Sequence, residues 1–361
     1  MSADLSPLEL LRLKRELAEE ARRGLPGESA SRARSDPHAR REPRPCGLTV
    51  HTGTGCYRGC LYCYVRDMGL TEARPYPLTG PELRLAVLLN PFYVPGRTQL
   101  ALGSITEPFL PETRGRTLEY LDALRDLGMV QISTKGPMGD PSPLEGVSVL
   151  VSACTLRGEL EPLAPPVGER MEELRRAAEV THACLFLRPI IPGEDQSPLL
   201  EMASGSSGVV LGGLRVTAGI LERLSRVMDV SEILRRLRRP PRGREQVPVD
   251  CSDLKRRLAG EARRAGLTPY PAACSANAAA HGVGCRACSM GPCGPEPPEV
   301  DPGELERLLE ELGCRPRSVE VLPGSVRASV GARPRLALHW LRAVSLRRVR
   351  VTPLRRPSSR P

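Results

Sequence analysis

Aromatic side chains are scarce: three Phe, seven Tyr and one Trp make up 3% of the 361 residues. The core must therefore be aliphatic, and no aromatic-rich surface for stacking nucleobases is visible. Lysine is scarcer still, with only Lys14, Lys135 and Lys255 among 52 Lys and Arg residues. No apolar run approaches the roughly 18–20 residues that a membrane-spanning helix needs, so the chain is not expected to cross a bilayer. The segment from Met1 to Gly24 mixes charges at helical spacing and lacks the apolar stretch of a secretory signal. These absences predict a soluble, cytoplasmic protein.

Hydrophobic residues make up 40% of the chain, enough for a substantial core. The length predicts one large domain with appendages, or two domains. A net charge of +10 favours polyanionic partners by long-range attraction. With 37 Pro and so strong a bias to arginine, a solvated Arg-rich surface explains the charge equally well. The twelve cysteines say more. Cys56, Cys60 and Cys63 form one tight group, and Cys274, Cys285, Cys288 and Cys293 a second. In an intracellular chain of this size, clustered thiols point to metal rather than to disulfides. Cys46, Cys154, Cys184, Cys251 and Cys314 are scattered and read as small buried hydrophobes.

Residues 6–24 read as a helix with Pro7 in its first turn and Gly24 past its end. Residues 25–45 are rich in Pro, Ser and Arg without periodicity, which predicts a flexible linker. Short apolar runs then recur at 48–51, 99–103, 130–134, 147–151, 183–187 and 208–211. Amphipathic stretches at 81–89, 117–127, 168–178 and 218–226 fall between most of them. Apolar strands alternating with helices predict a parallel sheet covered by helices, here an open or partial (β/α) barrel over residues 46–240. Residues 241–350 form a C-terminal extension with helices at 252–265 and 302–312, a further strand near 267–272 and strands within 318–330. The tail 351–361 is expected to be disordered.

The sequence TGTGCYRGCLYCYV places Cys56, Cys60 and Cys63 on one loop directly after the first strand. Three thiolates at spacings of four and three can cap three corners of a cubic four-iron cluster, leaving one iron open for exogenous chemistry. Gly53, Gly55 and Gly59 let such a loop wrap closely around metal. Tyr62 is placed to shield the cluster or touch an adenine ring. A zinc knuckle is the structural alternative, and His51 is its only local fourth ligand. Position decides between them: barrel active sites lie at the C-terminal ends of the strands.

With this loop, the segments GSITEPFLPE (103–112), STKGP (133–137), LEPLAPPVGERMEELRRA (160–177) and RPIIPGE (188–194) make the chain resemble the radical S-adenosylmethionine (SAM) superfamily. Within it the resemblance is to the branch of spore photoproduct lyase and its DNA-photolyase-like relatives, over residues 46–220. It implies an α/β fold, a partial (β/α)6 TIM-like barrel. It also implies a [4Fe–4S] cluster on Cys56, Cys60 and Cys63 that chelates SAM and cleaves it reductively. The resulting 5′-deoxyadenosyl radical abstracts hydrogen from a substrate, with electrons from a low-potential donor such as ferredoxin or flavodoxin. Carried over residue by residue, Ser104, Thr106 and Glu107 fall where relatives bind the SAM amino group, and Lys135 where they pair with its carboxylate. Ser152 is expected at the ribose or carboxylate, Tyr62, Ile190 and Ile191 near the adenine, and Glu112 and Arg170 in structural tasks. Spore photoproduct lyase is associated with a cysteine hydrogen donor after its second strand. Residues 99–116 here contain none, which counts against thymine-dimer repair. Cys154 is the nearest candidate for a radical relay.

The second cysteine group, with Cys274, Cys285, Cys288 and Cys293, is a four-thiol set suited to a second [4Fe–4S] cluster or a structural zinc, with His281 as a substitute ligand. A competing reading makes both groups structural in a metal-stabilised nucleic-acid-binding protein. Against it stand the three ligands of the first group, where a structural site needs four. Nucleic acid remains among the substrate classes.

Overall fold

The computed structural model describes residues 5–44 and 47–354. Seven strands form one sheet: β1 (Gly47–Val50), β2 (Gln99–Leu102), β3 (Val130–Thr134), β4 (Ser148–Ser152), β5 (Ala183–Ile190), β6 (Gly208–Gly213) and β7 (Pro269–Tyr270). They lie side by side in chain order and every pairing is parallel, as an open (β/α) barrel requires. The expected fold class is observed, and the strand read near 267–272 joins the other six in the sheet rather than standing in the C-terminal extension. The two-residue β7 and the helix before it lie beyond residue 240, so the barrel extends past the boundary drawn from the pattern.

The helices are α1 (Pro7–Arg23), α2 (Gly27–Ser35), α3 (Gly80–Leu89), α4 (Pro111–Leu124), α5 (Val167–Ala178), α6 (Ser197–Met202), α7 (Ala218–Ser225), α8 (Ser231–Arg235) and α9 (Ser252–Arg264), followed by α10 (Ala273–Ala280), α11 (Pro302–Glu311) and α12 (Pro334–Ser345). None is long and apolar enough to cross a membrane. Leu48, Leu100, Ile132, Val149, Leu185 and Val209 project from the outer face of the sheet into an aliphatic core shared with α3, α4, α5 and α9. The inner face is different. Gln131 donates to the Ala273 carbonyl (3.0 Å) and Gln99 to that of Cys274 (3.1 Å), which seats α10 within the barrel. Asn277 of α10 donates to the Met129 carbonyl (3.0 Å). This helix floors the interior, and Gln99, Gln131 and Asn277 hydrogen-bond across its contact with the strands.

The segment expected to be a flexible linker is folded. It holds α2 and a single 3-10 turn at Pro37–Ala39, and it docks through buried polar groups. Asp36 accepts from His38 Nδ1 (2.7 Å) and from the Tyr76 hydroxyl (2.9 Å), while the His51 amide donates to His38 Nε2 (3.1 Å). Arg32 reaches the buried Glu82 of α3. These anchors are single residues and leave no periodicity in the sequence.

A second, smaller core joins α1, α11 and α12 to a three-stranded sheet of β8 (Pro316–Leu322), β9 (Ser325–Val330) and β10 (Arg348–Pro353). Trp340 fills it and donates to the Pro91 carbonyl (2.8 Å), fixing the module to the barrel. The start of the supposed disordered tail is thus strand, because Val349 and Val351 pair with β9 and face the module's apolar side. Residues 355–361 and Cys46 lie outside the described residues.

Candidate functional site

Cys56, Cys60 and Cys63 lie on the loop that leaves β1, at the C-terminal edge of the sheet. Local backbone demands shape this loop. Gly55 has φ +80°, and a Cβ there would meet the Glu72 carbonyl oxygen at 1.9 Å, so only glycine fits. The loop is clamped from outside by Arg223 of α7, which donates to the carbonyls of Leu61 (3.0 Å) and Cys63 (3.1 Å) and pairs with Asp67. Arg58 donates to the carbonyls of Gly136 (2.8 Å) and Leu163 (3.0 Å), tying the loop to the edges of neighbouring strands.

All three thiols line a cavity of about 170 Å³ together with Arg58, Tyr62, Ser104, Thr106, Glu107, Lys135 and Ser152. Burial pushes each thiol's pKa up, that of Cys60 to about 12, so without metal these groups stay protonated at neutral pH. Binding metal must expel those protons. Among the described residues no three His, Cys, Asp or Glu side chains are gathered on a single-ion centre. One zinc ion draws its ligands to about 2.3 Å from one point, whereas a four-iron cube keeps its three capping thiolates apart around a larger body. All three thiols come from one loop onto one cavity, a set of three that leaves a coordination position open. His51 does not supply a local zinc ligand: its Nε2 faces Arg41 (2.8 Å) and its Nδ1 faces Ser104 (3.2 Å).

Beneath the thiols lies a buried ionic network that the sequence reading did not anticipate. Glu161 accepts from Lys135 Nζ (2.8 Å), from Arg170 (2.6 Å) and from the Tyr62 hydroxyl. Burial alone would raise its pKa, but Lys135 and Arg170 outweigh that and hold it at about 2. Lys135 is itself raised, its desolvation overridden by Glu161. Lys135 also donates to Ser152 (3.0 Å) and sits 5.7 Å from the Tyr62 ring centre. Arg170 therefore does hold structure, as expected, by bonding both Glu161 and the Ser152 carbonyl. Only the family motif around Leu160 could have signalled Glu161, since a single buried acid leaves no pattern.

The other site residues divide. Glu107 is buried on the cavity wall, accepting from Thr134 and from the Lys135 amide (2.8 Å), and burial raises its pKa. Thr106 donates to the Gly55 carbonyl (2.7 Å), so its hydroxyl serves the cysteine loop. Glu112 meets the Tyr57 hydroxyl at 3.5 Å, outside the cavity lining. Ile190 and Ile191 are buried in the aliphatic core, and β5 instead presents Phe186, Arg188 and Pro189 to the cleft. This cleft, about 350 Å³, continues from the thiol cavity with Tyr62, Cys63, Ser104, Ser133 and Phe186 as shared walls, and Ala273 of α10 is on its floor. Cys154 is fully buried behind the network, 3.5 Å from Glu161.

The seven-stranded parallel fold aligns with solved structures. One is a spore photoproduct lyase mutant with bound AdoMet and dinucleoside spore photoproduct: 16% identity, 63% of this chain and 77% of that chain, TM-score 0.50. The chain has the fold of spore photoproduct lyase. A radical SAM methyltransferase from Sphaerobacter thermophilus also aligns, at 19% identity over 62% of this chain and 66% of that chain, with a TM-score of 0.42. No family profile and no curated protein matches the sequence.

Of the second cysteine group, Cys285, Cys288 and Cys293 lie near one another. Cys285 and Cys293 pair through reciprocal backbone hydrogen bonds (2.7 and 3.0 Å) in a tight turn that includes Cys288. Cys274 sits instead in the first turn of α10, bonded through its carbonyl to Gln99. His281 is at the far end of that helix and faces the Val130 carbonyl (3.4 Å), not the thiols. Among the described residues no three such side chains are gathered on a metal-ion site, so the four-thiol centre finds no support. Spacing placed four cysteines on one stretch of chain, and the helix between them separates the first from the rest.

Proposed function

We propose that this protein is a radical SAM enzyme. Cys56, Cys60 and Cys63 hold a [4Fe–4S] cluster, and the adjoining cleft takes SAM and a substrate. The observation that carries this reading is the convergence of three thiols from one loop on a cavity at the C-terminal edge of a parallel barrel, with His51 turned away from them. When bound, the cluster and SAM supply a 5′-deoxyadenosyl radical able to abstract hydrogen from a C–H bond.

The chain's own part is binding, orientation and shielding. Glu107 offers a carboxylate to the SAM ammonium, and Ser104 and Ser152 add hydroxyls on the same wall. Lys135 is held by Glu161 and Ser152 with one N–H left for a carboxylate. Tyr62, fixed by Glu161, stands between the thiol cavity and the larger cleft. The α10 floor closes the barrel from below, which keeps water from a reactive intermediate. A low-potential one-electron donor of ferredoxin or flavodoxin type completes the reaction. No disulfide joins the described cysteines, which suits the reducing cytoplasm.

The test is anaerobic reconstitution followed by reaction with SAM and dithionite. About four irons per chain bound through the first cysteine group, and 5′-deoxyadenosine as a product, are expected. Protein carrying that cluster but forming no 5′-deoxyadenosine would contradict the reading. The same assay on Cys274→Ser protein is expected to show unchanged iron, because Cys274 belongs to the α10 floor.

A further inference from the structure

The cleft beyond the thiol cavity carries a positive charge that the network around Glu161 does not use. Arg188 rises from β5 on the same face as Phe186, two residues earlier, and its guanidinium stands 5.9 Å from that ring's centre. Two features aim it into the cleft. The β5–β6 pairing shifts register between Leu187 and Ile190, an irregularity that re-aims side chains near barrel rims. Gly212 on β6 then leaves room for the arginine stem: a Cβ there would lie 2.6 Å from Arg188 Cδ. Among the described residues no carboxylate bonds Arg188. Its titratable neighbours are Tyr64, Arg215 and Lys255. Arg215, which lines the same cleft, donates to the Gln246 carbonyl (3.2 Å), and Lys255 to that of Pro271 (2.8 Å).

Arg170 and Arg223, which brace the thiol loop and its network, have carboxylate partners. Like charges facing one another across a concave, partly apolar wall repel, and such a wall concentrates anions from solution. We propose that Arg188 and Arg215 form an oxyanion-binding subsite, so that the second ligand of the cleft is a phosphate-bearing molecule. Its anionic group sits on the two guanidinia, and its apolar part lies along Phe186 and Tyr64 toward the thiol cavity. Arginine suits this task because its planar fork binds two oxygens of phosphate at once. The assignment rests on the radical SAM reading only for what happens to that molecule. The binding itself needs neither cluster nor turnover.

The experiment is equilibrium dialysis of the full chain with radiolabelled inorganic pyrophosphate, alone and with excess SAM. Succinate is run as a competitor, and thermal melting checks the fold. Saturable binding is expected, persisting in SAM, resisting succinate, and weakened at least about tenfold in Arg188→Gln, the scale of one charge-assisted bond. Arg215→Gln changes an exposed residue of a two-residue strand pair, so it tests the claim without endangering the core, and similar weakening is expected. Arg12→Ala, on an exposed position of α1, should leave binding unchanged. Equal pyrophosphate affinity in wild type and both cleft variants would overturn the proposal. So would displacement by SAM, which would make the arginines SAM ligands, or stronger competition by succinate, which would make the ligand a carboxylate. Loss of 5′-deoxyadenosine formation with intact pyrophosphate binding would instead count against the radical reading alone.

Discussion

Glu161 holds the site's charges together, and its removal should be the most damaging single change in the network. Glu161→Ala leaves Lys135 and Arg170 buried without a counter-charge, a cost of about 3–5 kcal/mol, to be read as a lowered urea midpoint. The same residue sets a pH signature. Its pKa is held at about 2, below the ordinary glutamate value of about 4.3, so it stabilises the fold above that value. The contribution is lost as pH falls from about 4.3 toward 2. Urea midpoints measured at pH 6 and pH 3 should therefore converge between wild type and Glu161→Ala at the lower pH, and a constant gap would contradict the assignment. Lys135→Ala separates structure from binding in another way. In reconstituted protein it should weaken SAM binding by about 1.5–3 kcal/mol, and unchanged affinity would leave the lysine a purely structural partner of Glu161.

At the scale of elements, α1 is more than an appendage. Lys14 donates to the carbonyls of Asn90 (2.5 Å) and Tyr93 (2.7 Å) and lies 5.4 Å from the Trp340 ring centre, so one side chain joins the barrel to the C-terminal module. Lys14→Ala leaves two buried carbonyls unpaired and should cost about 2–4 kcal/mol, with hydrogen exchange rising first in α1 and α12. Elements with a period were legible: β3 was read residue for residue, and α5 and α7 within one residue at each end. The cysteine loop was legible because its chemistry depends on spacing along the chain. What escaped depends on single tertiary contacts. The helix α2 is short, polar and stabilised by Arg32 on Glu82, and nothing in its own sequence marks a buried face. The α10 floor is a short Ala-rich helix whose partners, Gln99 and Gln131, sit in strands read as apolar. Resemblance put Ser104, Glu107, Lys135 and Ser152 on one cavity, while Ile190 and Ile191, beside a register shift, are buried in the aliphatic core.

At the scale of the whole molecule, a barrel floored by α10 and edged above by three thiols would, on the proposed radical SAM reading, hold SAM at an incompletely ligated cluster. Charge, length and the second cysteine group are all compatible with other proteins, whereas an open iron that SAM can reach is not. The direct measurement is electron paramagnetic resonance of the anaerobically reconstituted, dithionite-reduced protein with and without SAM. The account predicts a reduced four-iron signal whose shape changes on adding SAM, and its absence from protein in which Cys56, Cys60 and Cys63 are all alanine. A fully loaded cluster whose spectrum is indifferent to SAM would contradict it.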